Sequence, residues 1–173
     1  MARIDQTAVV VSDAGPLIHL AELDSLALLV DFTVWVPDAV WLEVSRHRPA
    51  ALVQPEVRFE RRSVARPSNP VLSALGAVLL LDAGELESLA LMSGVTKALF
   101  LTDDAAARLA AEQLRYRVHG TIGVLLRAIR QGQLSPSEVV RRLQSVPQRS
   151  TLHIRPALLN DIIQRVKLEH DLR

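Results

Sequence analysis

Ala8-Val9-Val10-Val11-Ser12-Asp13 and Ala98-Leu99-Phe100-Leu101-Thr102-Asp103-Asp104 are two short apolar runs that end in aspartate and pass straight into helix-forming sequence. Apolar runs of this length, bounded by helical patterns, read as buried strands of a parallel sheet. In an open α/β sheet the carboxyl ends of the strands share one edge, and ligands bind there. Asp13 and Asp103 are ninety residues apart in the chain, yet such a sheet brings them to the same edge. Carboxylates gathered without basic partners repel one another unless a cation lies between them.

Working outward, strand and helix patterns alternate. Helices are predicted at Pro16–Glu22 and Leu26–Val30, a strand at Thr33–Val36 and a helix at Pro37–Arg46. Residues 47–70 hold four prolines and are the least regular, with a strand around Val57–Val64. Helices follow at Pro70–Leu80 and Glu85–Ser93, separated by Leu81-Asp82-Ala83-Gly84, and another at Asp104–Leu114. Arg117–His119 reads as a strand and Thr121–Arg130 as a helix stopped by Gly132. Ser135-Pro136-Ser137-Glu138 is a capping box with proline at the first helical position, opening a helix that Pro147 is expected to end near Val146. A last helix covers Pro156–His170.

The 173 residues fit one domain. With 49% hydrophobic and only 3% aromatic residues, the core must be built from Leu, Val, Ala and Ile. The absence of cysteine excludes disulfides and thiolate metal sites and suits a reducing cytosol. The opening Met1-Ala2-Arg3-Ile4-Asp5 lacks a signal-peptide pattern, and no stretch approaches the ~20 apolar residues of a membrane span. A cytoplasmic protein without membrane contact is expected. The net charge of +1 hides an asymmetry: residues 1–107 balance at −6 and residues 108–173 at +7, almost all of the latter from arginine. Arginine offers a planar donor fork suited to phosphate, although a set of solvated helix faces would give the same count.

Each acidic residue has a structural alternative. Asp13 suits a helix N-cap or an Asx turn. Glu43 lies among Val40, Trp41, Leu42 and Val44, either on the wet stripe of its helix or turned toward a site. Glu85 follows Asp82 by three residues, which is the spacing of a capping box. Glu87 points to a different helix face. Asp103 and Asp104 compete for the cap of one helix, and the spare acid costs stability through repulsion unless it has another task. His19 and His119 are the histidines nearest strand ends, and such single histidines are more often satisfied structural groups than ligands. Jointly, an all-oxygen set favours Mg²⁺ or Mn²⁺ over zinc. Such an ion polarises a phosphoryl oxygen and lowers the pKa of bound water.

Five segments in register resemble the PIN domain, and in particular the VapC-like toxin ribonucleases. They are Val10–Leu20, with Asp13-Ala14-Gly15-Pro16-Leu17-Ile18; Val36–Val44, with Glu43; Leu81–Leu91, with Gly84-Glu85; Leu101–Arg108, with Asp103-Asp104; and His119–Leu126. The resemblance spans roughly residues 8–135. It implies a three-layer α/β/α fold with a central parallel sheet, with residues 1–135 as the PIN-like domain. Residues 136–173 would be a helical extension packed on it. It implies Asp13, Glu43, Glu85, Asp103 and Asp104 as catalytic metal ligands, with Asp104 competing with Asp103 and Glu87 the lesser candidate for the place of Glu85. It further implies Mg²⁺- or Mn²⁺-dependent cleavage of RNA.

In this reading Arg46, Arg108, Arg115 and Arg117 would hold the substrate backbone, and a small antitoxin protein would restrain the enzyme. A homodimer is expected. The extension would serve dimerisation, antitoxin contact or RNA binding through Arg141, Arg142 and Arg149. Ala14 and Gly15 stand where many relatives carry a hydroxyl. A non-catalytic RNA- or protein-binding module on the same scaffold is the alternative. A haloacid-type phosphatase would need Asp-x-Asp after the first strand, where Asp13-Ala14-Gly15 stands. A receiver domain carries its acidic pair early rather than late. A phosphate loop of the Gly-x-x-x-x-Gly-Lys type is absent from the sequence.

Overall fold

The structure, a computed structural model, describes residues 8–64 and 69–172. Met1–Asp5 and Arg66 lie outside the described residues. Five strands form one sheet: β1 (Ala8–Ser12), β2 (Phe32–Pro37), β3 (Arg58–Arg62), β4 (Leu99–Leu101) and β5 (Arg117–His119). Every pairing is parallel, and the order across the sheet is β3-β2-β1-β4-β5. The chain lays down β2 and β3 on one side of β1, then returns to lay down β4 and β5 on the other. The crevice between β1 and β4 is therefore the topological switch point, where open sheets bind ligands.

The helices are α1 (Ala14–Glu22), α2 (Asp38–His47), α3 (Pro70–Leu79), α4 (Ala83–Ser93), α5 (Ala105–Gln113), α6 (Thr121–Arg130), α7 (Pro136–Arg149) and α8 (Pro156–Glu169). Alternation along the strands divides the core in two. Val10, Leu99 and Leu101 face a cluster that includes Leu17 and Leu20 of α1, Val40 and Val44 of α2 and Leu125 of α6. Val11 and Phe100 face the opposite cluster, formed with Leu72 of α3, Leu89 and Met92 of α4 and Ala107, Ala110 and Ala111 of α5. The small alanines let α5 sit close to the sheet. This is a three-layer α/β/α arrangement. Val139, Leu143 and Val146 of α7 and Leu159, Ile163 and Val166 of α8 join the first cluster.

Two local expectations need correction. Pro147 does not end α7, which continues to Arg149. Proline lacks an N–H, so it leaves the carbonyl of Leu143 one bond short. The next turn closes nonetheless, because Ser150 N donates to the carbonyl of Val146 at 3.0 Å and Arg149 pairs with Asp24. Within the irregular stretch, Pro49–Leu52 forms a 3₁₀ turn with Ala51 and Leu52 buried, which its prolines had hidden. Among the described residues no helix is long and apolar enough to cross a membrane.

Candidate active site

The register sets the site. Ser12 pairs with Leu101 and Leu101 with His119, so Asp13, Thr102 and Gly120 leave the sheet side by side. Asp13 N donates to the Leu101 carbonyl at 2.9 Å, and Thr102 N donates to that of His119 at 2.9 Å. The backbone thus stays in register one residue past the strands.

At this edge a cleft of about 300 Å³ is lined by Asp13, Glu43, Asp82, Asp103 and Asp104, with no lysine or arginine among its lining residues. Asp13 caps α1, and its Oδ1 accepts from Ala14 N at 2.8 Å. Its Oδ2 accepts from Thr102 Oγ1 at 3.1 Å, and the same hydroxyl accepts from Asp104 N at 3.1 Å. Fully buried Thr102 therefore ties the acid of β1 to the acids after β4. Burial pushes Asp13 up to about 6, and the charges of Asp82 and Glu43 add to the shift. Glu43 is raised too, by burial and then by Asp82.

The aspartate pair divides its work. Asp104 caps α5, accepting from Ala106 N at 2.7 Å and Ala107 N at 2.9 Å through Oδ1 alone. Asp103 is held on both oxygens. Oδ1 accepts from Thr121 N at 2.7 Å, while Oδ2 accepts from Thr121 Oγ1 at 2.5 Å and lies 2.8 Å from His19 Nδ1. His119-Gly120-Thr121 thus serves to clamp Asp103. A Cβ on Gly120 would sit 2.5 Å from Asp103 Oδ1 and 3.2 Å from both Arg108 Nη2 and the Thr102 carbonyl. Gly120→Ala should cost about 1–3 kcal/mol in urea unfolding, the usual range for overpacking. Gly94→Ala is the matched control, since its Cβ would meet only the Leu91 carbonyl, at 3.6 Å.

The third acid differs from expectation. Asp82 and Glu85 form a reciprocal capping box at the start of α4. Asp82 N donates to Glu85 Oε2 and Glu85 N to Asp82 Oδ1, each at 2.9 Å. Asp82, expected only as a cap, lines the cleft, and Glu85 is not among its lining residues. Glu85 nevertheless shares the field, pushed up to about 7 by burial and by Asp82, Asp104 and Asp13. Gly84 lets the turn pack against α2: a Cβ there would meet Val40 Cγ2 at 3.1 Å. Glu87 is not part of the cleft. Its Oε2 accepts from Ala39 N at 2.9 Å, satisfying the start of α2, where Pro37 offers no side-chain cap.

The arginines fare unevenly. Arg108 lies beside the clamp and donates from Nη2 to the Thr102 carbonyl at 3.2 Å. Arg46 is exposed on α2, three residues beyond Glu43. Arg117 opens β5, and Arg115 precedes it. Because β5 runs parallel to its neighbours, Arg115 sits toward the amino edge of the sheet, away from the acids, and does not join the site. Three further groups line the same cleft without having been read as part of a site: Asp82, His19, and a segment at residues 151–153. The fixed spacing of a capping box hid the first; His19, read from the sequence as a satisfied structural group near a strand end, is held by Asp103 as that reading expects; and nothing local pointed to the segment at residues 151–153.

A family model, DUF3368, described as a PIN domain, matches residues 9–168. The chain belongs to the PIN-domain family. The match runs through α7 and nearly all of α8, beyond residue 135, where the resembling segments stop. No curated protein and no solved structure matches the chain. PIN domains are generally nucleases and typically use divalent metals, so a nuclease-type activity is the family's general implication. The donor chemistry here suits such an ion: the lining acids are all oxygen donors, and three carboxylates in this field are raised by burial and mutual repulsion. Their spacing is looser than their chemistry. Among the described residues no three Asp, Glu or His side chains converge closely enough to hold a metal ion as they stand. Uncompensated carboxylates spread apart, and Asp13, Asp82 and Asp104 each spend an oxygen on a helix cap.

Proposed function

We propose that this PIN domain is a Mg²⁺- or Mn²⁺-dependent endoribonuclease. One observation carries the reading: five carboxylates and no lysine or arginine line one cleft at the β1–β4 switch point. Asp13, Glu43, Asp82 and Asp104 would hold the ion. Bound there, a divalent cation supplies a polarised phosphoryl oxygen and a water of lowered pKa for in-line attack on a phosphodiester.

The chain's own residues do the rest. Thr102 fixes the separation of Asp13 from Asp104. Thr121 and His19 hold Asp103 on both oxygens, which makes it a buttress of the site more than a ligand. Glu85 orients Asp82 through the capping box. Arg108, bonded to the Thr102 carbonyl beside Asp103, and Arg46, exposed three residues beyond Glu43 on α2, would offer guanidinium groups to the phosphates flanking the scissile bond. The five-segment likeness to VapC-like toxins supports a toxin role, with a small antitoxin protein as the restraining partner and a homodimer as the assembly.

The test is cleavage of single-stranded RNA with Mg²⁺ or Mn²⁺, with and without chelator. The reading expects cleavage that a chelator abolishes and an excess of metal restores. The loose spacing of the acids favours the second reading, a non-catalytic binding module. RNA retained but uncut under every metal condition would establish that reading instead.

A further inference from the structure

Glu22 is a buried carboxylate at the end of α1, outside the acidic cleft. It accepts from Ser150 Oγ at 2.9 Å, Thr151 N at 2.7 Å, Thr151 Oγ1 at 3.1 Å and Arg48 Nη2 at 3.3 Å. These bonds latch the irregular segment that joins α7 to α8. Beyond the latch the segment alternates like a strand: Leu152 and Ile154 pack against the core, while Thr151, His153 and Arg155 are exposed. A side chain between two inward anchors must face outward. The latch decides where it faces, for Thr151, Leu152 and His153 form a wall of the cleft that holds Asp13, Glu43 and Asp104.

We infer that His153 is a substrate-contacting residue, its imidazole stacking on a base of single-stranded RNA beside the scissile phosphate, with Glu22 as the positioning residue that sets it there. The inference rests on the nuclease reading above. The acids of the cleft repel phosphate and offer a base no face to stack on. The cleft has two flat side chains: His19 is tied to Asp103, and His153 is exposed on the strap. Bases of single-stranded RNA are held by stacking on such faces, histidine included. A base against His153 and Leu152 would turn its phosphate toward the acids and whatever cation they hold.

Two measurements test this on the full chain. Fluorescence anisotropy of a short labelled single-stranded RNA in Ca²⁺ reads binding, and steady-state cleavage in Mn²⁺ reads KM and kcat. His153→Ala should weaken binding and raise KM roughly tenfold, within the range of one lost base–aromatic stack. Its kcat should stay within about twofold, because stacking holds the base and not the reacting atoms. His153→Phe should restore binding, and His153→Lys should not. Glu22→Ala should raise KM in the wild-type background but add little to His153→Ala, as expected of a residue acting through another. His153→Ala binding RNA as wild type does, or His153→Phe as weak as His153→Ala, overturns the inference. Wild-type protein that binds RNA but never cleaves it overturns the nuclease reading, while the binding arm still decides the role of His153. Wild-type protein that binds no RNA overturns both.

Discussion

Asp13→Asn should lower RNA cleavage roughly 100- to 1,000-fold, the scale of losing one electrostatic group at a reacting centre. The same substitution should raise the melting temperature of the chelated protein. Asp13 is almost wholly buried, its proton affinity is pushed up to about 6, and neighbouring acids account for part of the shift. At neutral pH the carboxylate is ionised against that penalty, and asparagine removes the charge while keeping the shape. Its amide oxygen can still accept from Ala14 N, and its amide nitrogen can donate to Thr102 Oγ1 once that hydroxyl turns. Activity and stability should therefore move in opposite directions, as at sites that hold strain for function. Thermal melts in chelator beside cleavage rates check both. An Asp13→Asn protein that cleaves RNA as fast as wild type removes Asp13 from the chemistry.

The second large effect is a divalent-cation and pH dependence of stability. Asp13 rises from 3.8 to about 6 on folding, Glu85 from 4.5 to about 7, and Glu43 upward from 4.5. A carboxylate raised by folding binds its proton more tightly in the native state. Its contribution to stability is full below the unfolded value and is lost as pH rises through the folded value. The chelated protein should thus be less stable at pH 8 than at pH 5.5. His119 works the other way: burial and nearby arginines hold it below 6.5, so its contribution is lost as pH falls. One histidine opposes three carboxylates, and the net slope follows the acids. Glu22 is held below 4.5 by its hydrogen bonds, so its loss falls outside this window.

Mn²⁺ replaces the missing charge, so it should raise the melting temperature at pH 8. At a hundredfold excess over the dissociation constant the gain is about 2.7 kcal/mol, or roughly 5–10 °C for a domain of this size. At pH 5.5 protons compete for the same oxygens and the gain should shrink. A shift equal at both pH values would place the ion away from these acids.

The fold was legible because its signals were redundant. Apolar strands, proline-opened helices and two aspartate-ended strands all pointed to one parallel sheet, and the family match agrees with it. What the sequence hid was which oxygen each acid spends on its own backbone. Asp103-Asp104 reads as a pair, but three long-range donors from α1 and α6 hold Asp103, and only tertiary structure supplies those. Asp82 was masked by a capping box that is real: a cap uses one carboxylate oxygen and leaves the other to face the cleft. Pro147 misled because the bond it cannot make to Leu143 is the only one lost, while Ser150 N still closes the following turn on Val146. The strap at residues 150–155 carries only a short alternation, Leu152 and Ile154 between polar residues, which says nothing of where it docks. Its place depends on Glu22, which lies about 130 residues away in the chain.

A crystal of the chain soaked in Mn²⁺ and measured for anomalous scattering tests the central claim most directly. The expected result is a peak in the cleft, with oxygens of Asp13, Glu43, Asp82 or Asp104 drawn into coordination distance of the manganese and Asp103 still bound by Thr121 and His19. Acids left in place with no peak between them, or manganese held only at surface carboxylates elsewhere, would contradict it.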